Sequence, residues 1–129
     1  MRKITKKSAK NRAWKAFSLY IRLKYADSNG FVTCYTCNNR MHYKEIQAGH
    51  GLGGRTNAVL FMEEFVRPQD VGCNMFGGGK YAVFTKKLMD EYGSEEYYRL
   101  VRQANIPVTY TIEDYQNIEK KYKEKLNNL

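Results

Sequence analysis

The 129-residue sequence is short of several things, and each shortage removes a class of protein. No apolar run approaches the ~20 residues of a membrane span, and Met1 is followed by basic residues rather than a hydrophobic signal region. Neither a membrane partner nor a secretory route is expected. Proline occurs only twice and no long low-complexity linker is present. With 43% apolar and 27% charged residues, the composition is that of a folded domain rather than a disordered chain. Cysteine occurs three times, with two of the three in Cys34-x-x-Cys37, which fits a reducing cytoplasm better than a disulfide scaffold.

Acidic residues are missing from the first 26 positions. Arg2, Lys3, Lys6, Lys7, Lys10, Arg12, Lys15, Arg22 and Lys24 all precede Asp27, the first acid. From there on 13 basic residues balance 13 acidic ones, so the whole formal charge of +9 belongs to this segment. Lysine and arginine on phosphates release condensed counterions, so the block reads as a contact for polyanions, nucleic acid above all. Lys3, Lys6, Lys7, Lys10, Arg12, Lys15 and Arg22 are its candidate contacts. A solvated helix that merely aids solubility is the plainer alternative.

What is present divides the chain into three stretches of one α+β domain, 1–129. A basic helix occupies 1–26, with Ser8 as a candidate N-cap and Asp27-Ser28-Asn29-Gly30 as its stop. The stretch 31–92 holds all three cysteines, both histidines and most of the glycines. Strand-like runs fall at Glu45–Gly49 and Val59–Val66, and a helix with Tyr81, Phe84, Leu88 and Tyr92 on one face ends at Gly93. Residues 94–129 form two further helices separated by Pro107, the second opened by Thr111 with Asp114 in a loose capping box.

The chemistry concentrates in 31–92. Cys34-Tyr35-Thr36-Cys37 has the spacing of a metal knuckle, Cys73 offers a third thiolate, and Asp70, three residues before it, offers a carboxylate; His42 competes as fourth ligand. Structural zinc is the expected cofactor. Gln47-Ala48-Gly49-His50 ends a short strand and opens into Gly51-Leu52-Gly53-Gly54-Arg55, a loop where water and a phosphate can reach the imidazole. Phosphodiester hydrolysis needs a base that works near neutral pH and a divalent cation to stabilise developing charge. Asn74 carries an oxygen hard enough for Mg2+ or Mn2+. Gly77-Gly78-Gly79-Lys80 lacks the spacing of a phosphate-binding loop. Of the eleven tyrosines, Tyr35 in the knuckle is the candidate for a base or sugar contact.

In order along the chain, Phe17-Ser18-Leu19-Tyr20-Ile21-Arg22-Leu23, Cys34-x-x-Cys37, Gln47-Ala48-Gly49-His50, Arg55, Leu60-Phe61, Pro68-Gln69, Cys73-Asn74, Tyr81 and Gly93 resemble the NinG (Rap) recombination proteins of tailed phages. These belong with the HNH, or His-Me finger, endonucleases. The resemblance implies a small zinc-stabilised, treble-clef-like ββα-metal core flanked by the basic helix and the C-terminal helices. It implies structure-selective cleavage of branched DNA, such as Holliday junctions and D-loops, in the cytoplasm of a bacterial host. His50 would be the general base, Asn74 a ligand of the catalytic Mg2+ or Mn2+, and Arg55 a phosphate contact, with Cys34, Cys37, Cys73 and Asp70 around zinc. Asp70 stands where the family has cysteine, and Gly49 where many HNH enzymes carry an acid or histidine. The second ligand of the catalytic ion is open among Glu45, Gln47, Asn57 and Glu63. Junction resolution needs paired incisions, so a homodimer is plausible on this reading. Two alternatives are a non-catalytic, zinc-containing DNA-binding recombination accessory protein and a zinc-stabilised protein-interaction module.

Overall fold

The computed structural model describes residues 3–52 and 56–129. Helix α1 runs Lys6–Lys24 and begins earlier than the Ser8 cap implied. Thr5 is the N-cap. Its hydroxyl accepts from the Ser8 amide at 3.1 Å, while the Ser8 hydroxyl accepts from the Thr5 amide at 3.3 Å. Ser8 thus closes a reciprocal capping box from inside the helix.

The buried stripe of α1 is Ala9, Ala13, Ala16, Phe17, Tyr20 and Ile21, the three- and four-residue spacing of one helical face. Three alanines on that stripe let a second helix come close. The partner is α5, Ile112–Asn127, which lays Tyr115 and Tyr122 on it. The Phe17 and Tyr122 rings meet edge to face with centroids 4.8 Å apart. Truncating the fully buried Phe17 to alanine would cost on the order of 3–5 kcal/mol. The basic helix is therefore half of a helix pair and not a detached flank. Thr111 caps α5 in the expected box, its amide reaching Asp114 Oδ2 at 2.8 Å.

Two small antiparallel sheets make up the centre of an α+β chain. Strands β1 (Phe31–Thr33) and β2 (Arg40–His42) pair with Val32 opposite Met41. Strands β3 (Gln47–His50) and β4 (Val66–Gln69) pair with Gln47 opposite Gln69 and His50 opposite Val66. The run Val59–Val66, expected as strand, is mostly something else. Asn57–Leu60 is a short helix, α2, Glu63–Phe65 is a 3-10 turn, and only at Val66 does β4 begin. Val59, Met62 and Phe65 point from these turns into a core shared with the next two helices.

After β4 the chain makes a π-type turn over Gly72–Phe76 and leaves through Gly78 and Gly79, both at positive φ. Helix α3 (Tyr81–Tyr92) then buries Phe84 and Leu88. Gly93, at φ 82°, ends α3 and opens α4 (Ser94–Ala104), which buries Tyr97, Leu100 and Ala104 against the same core. A Cβ at Gly51 would lie 2.7 Å from Phe84 Cδ1 and 2.8 Å from Leu88 Cδ1, so α3 sits directly on the residue after His50. No helix among the described residues is long and apolar enough to cross a membrane.

Candidate functional site

The cysteines come together as their spacing predicted. Cys34 leaves β1, and its carbonyl accepts from the Asn38 amide at 3.1 Å while its own amide donates to the Asn39 carbonyl at 2.8 Å. Asn38 takes the left-handed conformation, φ 65°, that this tight return requires and that asparagine tolerates. The Tyr35 amide donates to the Pro68 carbonyl at 2.9 Å and ties the knuckle to β4. Cys73 arrives on the π-type turn, and the three sulfurs all lie within 4.8 Å of one another. Zinc with sulfur at about 2.3 Å holds its ligands roughly 3.8 Å apart, so the trio would close by at most about 1 Å around an ion. The three cysteines can hold a metal ion and are compatible with structural zinc.

Electrostatics favour a thiolate there. Burial raises the Cys34 thiol, but the Asp70 amide, 3.2 Å from its sulfur, the Thr36 hydroxyl at 3.5 Å and the Thr36 and Cys37 amides outweigh it and bring the group down to about 7. Burial and the neighbouring Cys34 and Cys73 sulfurs push Cys37 up to about 11, against the Asn39 amide. One anion among three thiols opposes the next, and a cation in their midst reverses that opposition.

Asp70 stands at the edge of the trio rather than within it. Its Oδ2 is 3.9 Å from the Cys37 sulfur and accepts from Asn39 Nδ2 at 3.3 Å, while Oδ1 accepts from the Gly72 amide at 2.8 Å. His42 is not in the trio. Its ring packs on Phe31 and Tyr43, and Nδ1 accepts from the Lys44 amide.

His50 ends β3 as expected, but it is buried, at 4% exposure, and not open to solvent at a loop mouth. The Trp14 indole of α1 stacks on it at 5.3 Å with 19° between the planes. Nε2 lies 3.1 Å from the Leu60 carbonyl. A carbonyl only accepts, so Nε2 carries a proton. Trp14 also faces a cleft of about 350 Å³, together with Ser18, Arg22, Gln47, Asn74 and Met75. In it Asn74 Nδ2 donates to Gln47 Oε1 at 2.9 Å.

Of the residues considered beside Asn74, Gln47 is the one brought to it. Glu63 is engaged elsewhere, accepting from Lys125 at 2.7 Å and Tyr122 at 2.9 Å. Asn57 lines a separate groove beside α4, and Glu45 is exposed. Arg55 lies outside the described residues.

The basic residues divide. Lys3, Lys6, Lys7, Lys10 and Lys15 are exposed. Arg12 reaches Glu119 of α5 at 3.3 Å, and Arg22 donates to the Tyr43 carbonyl at 2.8 Å and to the Ser18 carbonyl at 3.2 Å. Arg22 thus holds α1 to the loop before β3 while lining the cleft. Tyr35 is a packing residue, not a free stacking platform. Its hydroxyl donates to Glu91 at 2.7 Å, its ring meets Phe84 at 5.0 Å, and Arg67 lies over it at 5.5 Å.

Three residues around the site are given no role by the sequence alone, although Gln69 falls in the Pro68-Gln69 match. Trp14 reads as an ordinary core aromatic until its contact with His50 is known. Arg67 and Gln69, 2% and 0% exposed, are buried polar groups on β4. Gln69 Nε2 donates to the Gly79 carbonyl at 2.7 Å and to Thr36 Oγ1 at 3.1 Å, joining the glycine turn to the knuckle. The signal for both was their place inside the uniformly buried run Val66–Gln69, where a charged or amide side chain needs partners.

A family model described as Bacteriophage Lambda NinG protein matches residues 2–129. No curated protein and no solved structure matches the chain. The match spans nearly the whole sequence, and the chain belongs to the NinG family.

Proposed function

We propose that this protein is a divalent-metal-dependent, structure-selective DNA endonuclease of the HNH type, acting on branched recombination intermediates. The observation that carries the reading is an arrangement. His50 ends the first strand of a hairpin, Asn74 sits on the turn after the second, α3 follows, and three cysteines gather beside them. This is the order a treble-clef ββα-metal unit requires.

In that unit His50 would be the general base that activates water, its ring oriented by the contact of Nε2 with the Leu60 carbonyl. Asn74 gives its amide proton to Gln47, which leaves Asn74 Oδ1 as a hard oxygen for Mg2+ or Mn2+. That cation would supply positive charge against the phosphate as its negative charge builds. Arg22 and Arg55 serve as phosphate contacts, and the exposed lysines of α1 hold the DNA backbone without reading its sequence. Cys34, Cys37 and Cys73 would hold the structural zinc, and Asp70, at the edge of the trio, would have to move in to be its fourth ligand.

The burial of His50 beneath Trp14 favours a second reading, a zinc-containing DNA-binding accessory protein that does not cut. Purified wild type and His50→Ala, matched for zinc content, separate the two. Wild type with Mg2+ or Mn2+ is expected to nick a four-way junction, and His50→Ala to bind it without cutting. Binding without cleavage of any DNA by wild type would overturn the endonuclease and leave the accessory protein.

A further inference from the structure

Directly after Asn74 the chain displays two apolar side chains to water. Met75 is 62% exposed and Phe76 is 85% exposed. Neither hangs on a loose loop. The Asn74 amide donates to the Asp70 carbonyl at 2.8 Å and the Gly77 amide to the Gly72 carbonyl at 2.6 Å, which closes the turn on both sides of them. Gln47 Nε2 reaches the Met75 sulfur at 3.7 Å, so Met75 forms part of the cleft wall. Phe76, the next residue after this wall, is held out in water, where an apolar ring is disfavoured.

The surroundings are cationic. Arg22 lines the cleft, and the Lys80 side chain folds back over Gly77, where a Cβ would lie 2.7 Å from Lys80 Cε. A flat apolar face beside positive charge suits a nucleobase freed from its stack with its phosphate alongside. In continuous duplex every base face is already covered by its neighbours. At a branch point the stack is interrupted and base faces come free. An exposed phenylalanine there gains stacking only where the DNA is broken or bent, so it discriminates by DNA shape and not by base identity.

We infer that Phe76, buttressed by Met75, is the branch-sensing wedge of the protein, stacking on an unstacked base at the crossing while the Asn74 cleft receives the adjoining phosphate. The inference rests on the reading of that cleft as a DNA-cutting site, but its test reads binding. Wild type, Phe76→Ala and Phe76→Trp would be titrated against a four-way junction and a linear duplex with the same arms, without added Mg2+ or Mn2+. A 2-aminopurine placed at the branch reports stacking.

Wild type is expected to prefer the junction and to change the probe's emission. Phe76→Ala should lose about tenfold of that preference with duplex affinity and zinc content unchanged, and Phe76→Trp should keep it. An unchanged preference in Phe76→Ala, or equal loss on both DNAs, overturns the wedge. Junction preference that depends on Phe76 in a protein that never cuts would sustain the wedge and remove the nuclease. Cutting that persists with a Phe76-independent preference would do the reverse.

Discussion

Gly49 shows how little room the hairpin leaves around its polar centre. A Cβ built there would stand 2.9 Å from Gln69 Cβ and closer still to Gln69 Oε1. Gln69 cannot retreat cheaply, because it is fully buried and bonded to Thr36 and Gly79. Gly49→Ala is therefore expected to lower stability by about 1–3 kcal/mol, the usual cost of overpacking a filled site, read as an earlier midpoint in chemical denaturation. A midpoint equal to wild type would mean that Gln69 does not fill the space beside β3. The same contact accounts for the glycine before His50. An acid or histidine at that position would collide with Gln69, so on the proposed endonuclease reading the second ligand would have to come from elsewhere, with Gln47 already bonded to Asn74.

Between elements, Glu63 is the main polar tie. It sits on the 3-10 turn before β4 and is reached by Tyr122 and Lys125 of α5 and, at 3.8 Å, by Lys24 of α1. Burial raises its carboxyl, but the bonds from Lys125 and Tyr122 and the charges of Lys125 and Lys24 outweigh this and hold it below the ordinary glutamate range. A depressed carboxyl contributes stability above its unfolded pKa, about 4.3, and loses it as pH falls through the lower folded value. Wild type should thus lose stability on acidification through that window faster than Glu63→Gln does. At pH 7 the variant should be weaker by on the order of 1–2 kcal/mol, measured by urea denaturation at each pH. At this scale the sequence was a good guide wherever the signal was local. Gly93 as a stop, Thr111 as a cap and the Phe84 and Leu88 face all follow from rules that act within a turn or two. It misled where partners lie far along the chain. Val59–Val66 has the apolar density of a strand, yet its residues are drawn into turns by a core built from α3 and α4. The burial of His50 depends on Trp14, 36 positions earlier, and no pattern around either residue announces their stack.

Over the whole molecule, stability is divided unevenly. The helix pair and the α3–α4 core bury large aromatic and aliphatic side chains, whereas the cluster around the cysteines buries, among the described residues, the smaller set Val32, Cys34, Ile46 and Cys73, with Ala26, Met41 and Tyr43 partly covering it. So small a cluster would lean on an ion held by its three cysteines, and metal binding free energy there would be folding free energy. Stripping the metal with a chelator is expected to raise amide exchange first in residues 31–47 and 70–80, with α1 and α5 still protected. Uniform loss of protection throughout would show instead that the ion supports the entire fold. The pairing of α1 with α5 also has a consequence for synthesis. During translation α1 emerges well before α5, so the face carrying Ala9, Ala13, Phe17 and Tyr20 waits without its partner while the intervening chain is made. Trp14 rides on that helix and packs on the cluster that Tyr122 of α5 completes, so the wall over His50 leans on the docking of α5. A core shared by α1 and α5 stays incomplete in every nascent copy that has not yet made α5.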